Sequence, residues 1–441
     1  MQQNDRLTYK QLSAFFIPLG VSASLTSITH VIINGTLSRG EDAAFIIACY
    51  AVAMSVFGII ERPMIVFRQA SSTLVNDRKS FKTLSIFFLY ILAGIMVISA
   101  IIIFTTLGDW MYIQLFNATP DMLKAISITF QVLIIVIIFS GIRGLYQGII
   151  IQKLATNWLT IGVIVRLLAM FLLAFLFVVF DYITSVSGAY IFLLGMIIEC
   201  VVSVFKANSL LKTDFANENT DQLSQREIST FYFPLVCYFM LQTLLIPIIY
   251  ILLAKSSDIE MSIASFALAF SITNLMLSFF MYAHQLVLQF YQIDKKKVIT
   301  FFIISSIIPT LLLCVICYTS FGMIFMQNIM GADETLAITT IAVLKFFIIK
   351  TLIFPFVDFL NGFLMLSRQT NRMLLAQVGN LIFVVISLII FVRLWPDLNG
   401  INGSIAASIG EIAGFLIVGI IVYKMSGHYA RRTVRIKKSR N

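Results

Sequence analysis

Apolar residues in this chain neither alternate nor recur at the three-and-four spacing of a surface helix; they come in nearly unbroken runs separated by short polar stretches. Each run is about 20 residues long, the length an α-helix needs to cross the hydrocarbon of a bilayer. The pattern predicts twelve spans, near 11–34, 43–67, 81–106, 125–146, 157–180, 183–205, 231–254, 261–290, 298–320, 337–366, 373–395 and 401–424. A membrane β-barrel is excluded, because its strands would be short and alternating.

The polar stretches organise these spans. The longest, "KANSLLKTDFANENTDQLSQREIST", has the Asp, Glu, Asn, Gln and Ser content of a solvated linker and divides the spans six and six. The predicted organisation is an N-terminal lobe over 1–205, a cytoplasmic linker over 206–230, a C-terminal lobe over 231–424 and a basic tail over 425–441. Sliding one half over the other gives matches at a nearly constant offset. "SAFFIPL" at 13–19 meets "STFYFPL" at 229–235, pairing Pro18 with Pro234, and "IACYAVA" at 47–53 meets "IASFALA" at 263–269 in the same register. "GIIIQKLATN" at 148–157 meets "GFLMLSRQTN" at 362–371, and Gly188 and Gly195 meet Gly403 and Gly410, with the register slipped by no more than two positions. Six spans is an even number, so both halves enter from the same side. That predicts an all-α polytopic protein with a parallel internal repeat, the arrangement of transporters whose cargo cavity lies between two bundles.

Charge orients the spans. With both termini cytoplasmic, the inner segments hold 23 Lys and Arg, and the outer segments hold only Arg39, Lys124, Lys255 and Arg393. The net charge of +10 follows from that bias and calls for no nucleic-acid partner; the tail "RRTVRIKKSR" reads as a segment touching anionic lipid headgroups. Composition agrees, with 59% hydrophobic residues, 12% charged residues and a mean hydropathy of +0.96 over 441 residues. The five cysteines all fall inside spans as small apolar residues, and "CVIC" at 314–317 lacks the further ligands that metal or redox work needs. No cofactor or metal is expected.

Two lobes that each open on a Phe-rich "FxxPL" resemble the multidrug/oligosaccharidyl-lipid/polysaccharide (MOP) flippase superfamily, which includes the multi antimicrobial extrusion (MATE) transporters. "FFIPLG" at 15–20, "EDAAFIIACYAVAMS" at 41–55 and "RPMIVFRQASSTLVNDRKSF" at 62–81 are most similar to its progressive-ankylosis-like branch. The resemblance implies a secondary transporter of the cell membrane that alternates between inward and outward openings. In that family drug/cation antiporters usually rely on an acidic residue in the first or seventh helix. Here spans 11–34 and 231–254 contain no Asp or Glu, which speaks against ordinary drug antiport.

Ionisable side chains inside the hydrocarbon are costly and normally face a cavity or a partner. Lys345 and Lys350 in the tenth span, with Arg166 in the fifth, are the candidate substrate-binding cations; otherwise Lys345 snorkels to the outer face and Lys350 pairs internally. The repeat mate of Arg166 is Asn380, so polarity is kept there in both halves. Arg143 and Asp358 lie within one residue of repeat equivalence and either pair as a bistable gate or pair within their own lobes. Glu199 and Glu411 are candidates for proton coupling. His30 and His284 add two titratable groups. In "IIERPMIVF", Glu61 and Arg62 read as a polar group at the inner mouth, either an interfacial anchor or an inner gate, with Pro63 bending the last turn of the helix. Their repeat mates, in the register that pairs Pro18 with Pro234, are Leu277, Ser278 and Phe279. The glycines of "GIRGLYQG" at 141–148 read as a packing seam.

The expectation is therefore a transporter, with a coupling proton or sodium ion, that exports a small anionic or amphiphilic solute. A multidrug exporter of cations and a flippase for a lipid-linked saccharide are the alternatives. A membrane-embedded enzyme would need a catalytic constellation, whereas the chain has only His30, His284 and His428, no HExxH and no GxxxxGK[ST].

Overall fold

A computed structural model describes residues 7–75, 77–153, 155, 157–213, 223–367 and 371–438; the side chains of Pro18, Pro234 and the basic tail, and residues 214–222 of the predicted linker, lie outside what is described. The described residues are helical, with no strand among them. In chain order the helices are α1 (Tyr9–Leu37), α2 (Ala43–Leu74), α3 (Arg78–Phe104), α4 (Thr106–Phe116), α5 (Pro120–Gln152), α6 (Asn157–Val179), α7 (Ser185–Thr213) and α8 (Gln225–Thr243). They continue as α9 (Leu245–Leu253), α10 (Ile259–Ser278), α11 (His284–Phe290), α12 (Lys295–Tyr318), α13 (Ser320–Ile324), α14 (Glu334–Leu366), α15 (Asn371–Leu394) and α16 (Gly400–Lys438), with a π-helix over Phe325–Ile329.

Local sequence sets most of these ends. Asp77 and Ser80 form a capping box at α3, with the Ser80 amide donating to Asp77 Oδ1 at 2.7 Å, and Thr119 caps α5 with Pro120 in its first turn. Among the described residues ten helices are long and apolar enough to cross a membrane: α2, α3, α5, α6, α7, α10, α12, α14, α15 and α16. Helix α1 occupies the predicted first span and the α8–α9 pair the seventh. Large apolar side chains are exposed along α3, α6, α12 and α15, for example Tyr90, Leu168, Leu311 and Phe383. Such faces fit a lipid surround and not water. The chain is an integral multi-pass membrane protein.

The chain divides into two units. The larger comprises Ile28–Ala267 and Met326–Ala337; the smaller comprises Met1–Ser27, Leu268–Phe325 and Ile338–Asn441. In the larger unit α5 packs along α2 on one side and α7 on another. The predicted glycine seam makes the first of these contacts: a Cβ at Gly141 would meet Met64 Cε at 2.6 Å, and one at Gly148 would meet the Arg68 carbonyl oxygen at 2.6 Å. In the smaller unit α15 packs along α16.

Several backbone devices recur at positions that the expected repeat would pair. Thr105 and Thr319 both break a helix in an extended conformation (φ −122°, ψ 162° and φ −121°, ψ 164°), and each hydroxyl accepts a hydrogen bond at 3.3 Å from the amide two residues on. Asn117 and Gly331 both take the left-handed conformation, at φ 47° and 74°. Gly148 faces the carbonyl of Arg68, and Gly362 faces that of His284. Gly195 lies against Arg166 and Met170, and Gly410 against Asn380 and Val384.

One element differs from expectation. Pro63 does not lie in the last turn of its helix; α2 continues past it to Leu74. Pro63 lacks an amide hydrogen, so the carbonyl four residues back loses its helical partner; the Pro63 carbonyl itself accepts from the Tyr232 hydroxyl at 2.8 Å, which ties α2 to α8. The break comes in the other half, where the eighth span stops at Ser278 and resumes at His284 without a proline.

Candidate functional site

Four intramembrane ionisable residues of the larger unit, Glu61, Arg143, Arg166 and Glu199, come together, and helix periodicity explains how. On α5, Ser140, Arg143 and Gln147 are three and four residues apart and share a face. On α6 the buried residues are Gly162, Arg166, Met170 and Ala174, one every four residues, so Arg166 sits on a narrow inward stripe of a helix otherwise turned outward. Gly162 and Gly195 let α6 and α7 approach closely; a Cβ on Gly162 would lie 3.5 Å from Glu199 Cγ, and one on Gly195 3.0 Å from Arg166 Cγ.

Glu199, only 3% exposed, is the centre. Its Oε2 accepts from Arg143 Nη1 at 2.9 Å and from Arg166 Nη1 at 2.5 Å, and its Oε1 accepts from Gln147 Nε2 at 2.9 Å. Arg166, 4% exposed, also donates through Nη2 to Thr29 Oγ1 of α1 at 2.8 Å. Ser203 Oγ donates to the Glu199 carbonyl at 2.7 Å. Glu61 on α2 is buried and accepts from the Ser140 hydroxyl. Arg62 beside it is half-buried. His30, on α1 next to Thr29, is exposed and stacks on Phe192 with ring centroids 6.3 Å apart.

Two guanidiniums, those of Arg143 and Arg166, thus converge on one carboxylate oxygen of Glu199. Among the described residues, the Nε of Arg62, of Arg143 and of Arg166 is buried without a hydrogen-bond partner. A buried donor without a partner carries a desolvation cost that an acceptor would relieve. Among the described residues no basic group lies within ion-pair distance of Glu61.

The smaller unit disposes of its charges in pairs. Lys350, 7% exposed, lies 3.4 Å from Glu411 Oε2 and 5.9 Å from the ring centroid of Phe270. Asp358 accepts from the His284 backbone amide at 2.9 Å and faces His284 Nδ1 at 3.0 Å. It therefore supplies the acceptor that the first amides of α11 lack after the helix break. Arg143 and Asp358, expected as each other's partners or as separate pairs, have separate partners: Glu199 for one and His284 for the other. Lys345 is exposed, with its ammonium 5.7 Å from the centroid of the exposed Tyr318, and is not brought together with Lys350. Asn380, the mate of Arg166, is buried beside Gly410 with its Oδ1 unbonded among the described residues.

Sequence reasoning picked out the charged members and missed the neutral ones, Thr29, Ser140, Gln147 and Ser203. The spacing of Ser140, Arg143 and Gln147 along one face was the available signal. Among the described residues no three His, Cys, Asp or Glu side chains gather as a metal site.

No protein-family model matches the sequence. No curated protein matches it either. Solved structures do match. An inward-facing multidrug resistance MATE family transporter of the MOP superfamily aligns at 13% identity over 93% of this chain and 99% of its own, with a TM-score of 0.70. The lipid II flippase MurJ in an inward closed conformation aligns at 15% identity over 92% of this chain and 87% of its own, with a TM-score of 0.69. A MOP superfamily transporter from Pyrococcus furiosus, described as having a binding pocket of reverse polarity that suggests a different function, aligns at 13% identity over 93% and 96%, with a TM-score of 0.54. The chain shares the fold of these MATE and MurJ structures.

Proposed function

We propose that the chain is a secondary transporter of the MOP type, with twelve spans and both termini cytoplasmic, that exports a small anionic or amphiphilic solute across the cell membrane by alternating access. The observation that carries the anionic reading is that two buried arginines, Arg143 and Arg166, share one oxygen of Glu199, and each keeps a buried Nε without a partner among the described residues. An oxyanion of the cargo supplies the acceptors these nitrogens lack, and guanidiniums match carboxylate and phosphate oxygens in shape as well as charge.

The charge inventory also weighs against a cationic drug as cargo. Glu199 is already bonded to two arginines, Glu411 to Lys350 and Asp358 to His284, so these carboxylates offer a cation little. Glu61, bonded to a hydroxyl, is the carboxylate left for a coupling proton or sodium ion. The diphosphate of a lipid-linked saccharide has the same oxyanion chemistry, and the likeness in fold to a lipid II flippase keeps that second reading in view.

The test is uptake into inside-out vesicles of radiolabelled citrate, inorganic phosphate and tetraphenylphosphonium. Uptake of an anion that Arg166→Gln abolishes supports the reading. Uptake of tetraphenylphosphonium with neither anion overturns it. Translocation of a fluorescent lipid-linked saccharide without uptake of either soluble anion selects the flippase.

A further inference from the structure

Arg39 is one of only four basic residues that the charge bias assigns to the outer side, and in the structure it reaches for carbonyls instead of water. Its Nη2 donates to the carbonyls of Ile329 at 2.5 Å and Asn328 at 3.2 Å, and its Nη1 donates to that of Met330 at 3.0 Å and to Gly35 at the end of α1. Ser38 Oγ donates to the Met330 carbonyl as well. These acceptors stand at the C-terminal end of the π-helix Phe325–Ile329, where carbonyls have no partner further along the helix and a positive charge is favoured. Gly331 follows at φ 74°, and a Cβ there would lie 2.8 Å from Arg39 Cζ, so both the backbone conformation and the guanidinium require glycine.

A second contact has the same plan with the roles of the halves exchanged. Asn117, left-handed at φ 47°, donates from Nδ2 to the carbonyl of Ala254 just after α9 at 2.7 Å. The repeat pairs Asn117 with Gly331, and in nearly the same register it pairs Arg39 with Ala254. The turns also match internally: the amide of Ala118 donates to Tyr112 at 3.3 Å, and that of Ala332 to Met326 at 2.9 Å. In each case the loop after the first helix of one half meets the left-handed turn of the other. All four stretches lie in the larger unit, yet Met326–Ala337 is joined at both ends to chain of the smaller unit.

We propose that Arg39 with the 328–331 turn, and Asn117 with Ala254, are reciprocal clasps of an outer gate that part together when the outer side opens. The proposal rests on the transport reading for its purpose, and the chemistry suits a contact made and broken in every cycle. All the acceptors are neutral carbonyls at the outer end, which water satisfies as soon as the donors leave. The buried Glu199 pairs differ, because parting them would strand charges away from water.

The test is a distance measurement by pulsed electron spin resonance on the full chain in liposomes. Spin labels are placed at Glu41→Cys and Glu334→Cys, both exposed, with the five native cysteines replaced by alanine. The expected result is a dominant short distance with a minor longer one, the longer fraction rising several-fold in Arg39→Ala and less in Arg39→Lys, whose ammonium cannot span three carbonyls. Asn117→Ala, remote in sequence from both labels, is expected to enlarge the same longer fraction; it also keeps the test usable where Arg39→Ala fails to fold. Distributions that superimpose on the unsubstituted chain in the folded variants overturn the proposal, as does a change confined to Arg39→Ala. Anion uptake without any longer distance sinks the clasps and leaves the transport reading standing. A longer distance that responds as expected, without movement of citrate, phosphate or tetraphenylphosphonium, does the reverse.

Discussion

Replacing Glu199 by alanine is the sharpest perturbation of the candidate site, because the carboxylate holds three donors at once. Arg143 Nη1 at 2.9 Å, Arg166 Nη1 at 2.5 Å and Gln147 Nε2 at 2.9 Å all lose their acceptor, and the two guanidiniums are left buried and facing each other. Removing one partner of a buried ion pair costs about 3–5 kcal/mol, most of it the charge left without compensation. With two arginines stranded, the upper part of that range applies. At ~2–4 °C per kcal/mol, a cost of about 4–5 kcal/mol should lower the unfolding temperature by roughly 8 to 20 °C. Arg143→Gln should cost less, about 1–3 kcal/mol, because Glu199 keeps Arg166 and no cation is orphaned.

The assay is thermal unfolding of the purified protein in detergent, followed by the fraction that stays monodisperse after heating, with and without acetate. Alanine leaves room for a small carboxylate where the glutamate head stood. If acetate binds there with a Kd of about 10 mM, then 100 mM restores about 1.4 kcal/mol. Wild-type protein, whose site is filled by its own carboxylate, should gain nothing. Two results would refute the view that the arginines need an anion between them. One is a Glu199→Ala protein that differs from wild type by less than about 0.5 kcal/mol, the range of an ordinary surface substitution. The other is equal stabilisation of both proteins by acetate.

Other substitutions separate the remaining candidates. Lys345→Gln should change stability by less than ~0.5 kcal/mol, since the side chain is exposed beside Tyr318, whereas Lys350→Gln leaves Glu411 buried and should cost about 3 kcal/mol in the same thermal assay. Gly94→Ala, which meets nothing within 4 Å, should stabilise α3 by up to about 1 kcal/mol. Gly362→Ala would press against the His284 carbonyl at 2.9 Å and should cost about 1–3 kcal/mol, and equal effects of the two glycine variants would count against the packing described. Glu61→Gln combined with Arg62→Gln should lower citrate or phosphate uptake and its response to an imposed pH gradient without lowering the yield of folded protein; unchanged uptake removes this pair from the mechanism.

Much of the helical architecture was legible because a bilayer leaves few alternatives: apolar length alone locates ten of the membrane-crossing helices, to within several residues at their ends. What was not legible was partnership. Arg166, Arg143, Glu199 and Glu61 each stand out as charges in apolar runs, but which of them meet depends on helix neighbours and rotation, set by Gly162 and Gly195 between α6 and α7 and by Gly141 and Gly148 between α5 and α2. The break after Ser278 was hidden because "FFMYA" contains no glycine or proline; its compensation comes from Asp358, far along the chain. Pro63 points the opposite way, since α2 runs on through it to Leu74, and its carbonyl is held by the Tyr232 hydroxyl. Arg39 was counted only as an exception to the charge bias, although its carbonyl partners give it a structural task.

Positions that the expected repeat would pair share backbone geometry more faithfully than they share chemistry. The Thr105 and Thr319 breaks agree within a few degrees, and the Asn117 and Gly331 turns share their hand. Yet Arg166 answers to Asn380, and Glu61, Arg62 and Pro63 answer to Leu277, Ser278 and Phe279. Small residues and left-handed turns are demanded wherever two backbones come close, so both halves keep them for the same steric reason. Buried charge is under the opposite pressure, because each ion kept out of water needs its own partners. The smaller unit therefore resolves its charges into the discrete pairs Lys350–Glu411 and His284–Asp358. The larger sets two arginines on the single carboxylate of Glu199 and leaves donors unmet among the described residues. Two arginines sharing one carboxylate differ from discrete one-to-one pairs, and on the anionic reading proposed above that difference favours the Glu199 cluster for contact with cargo.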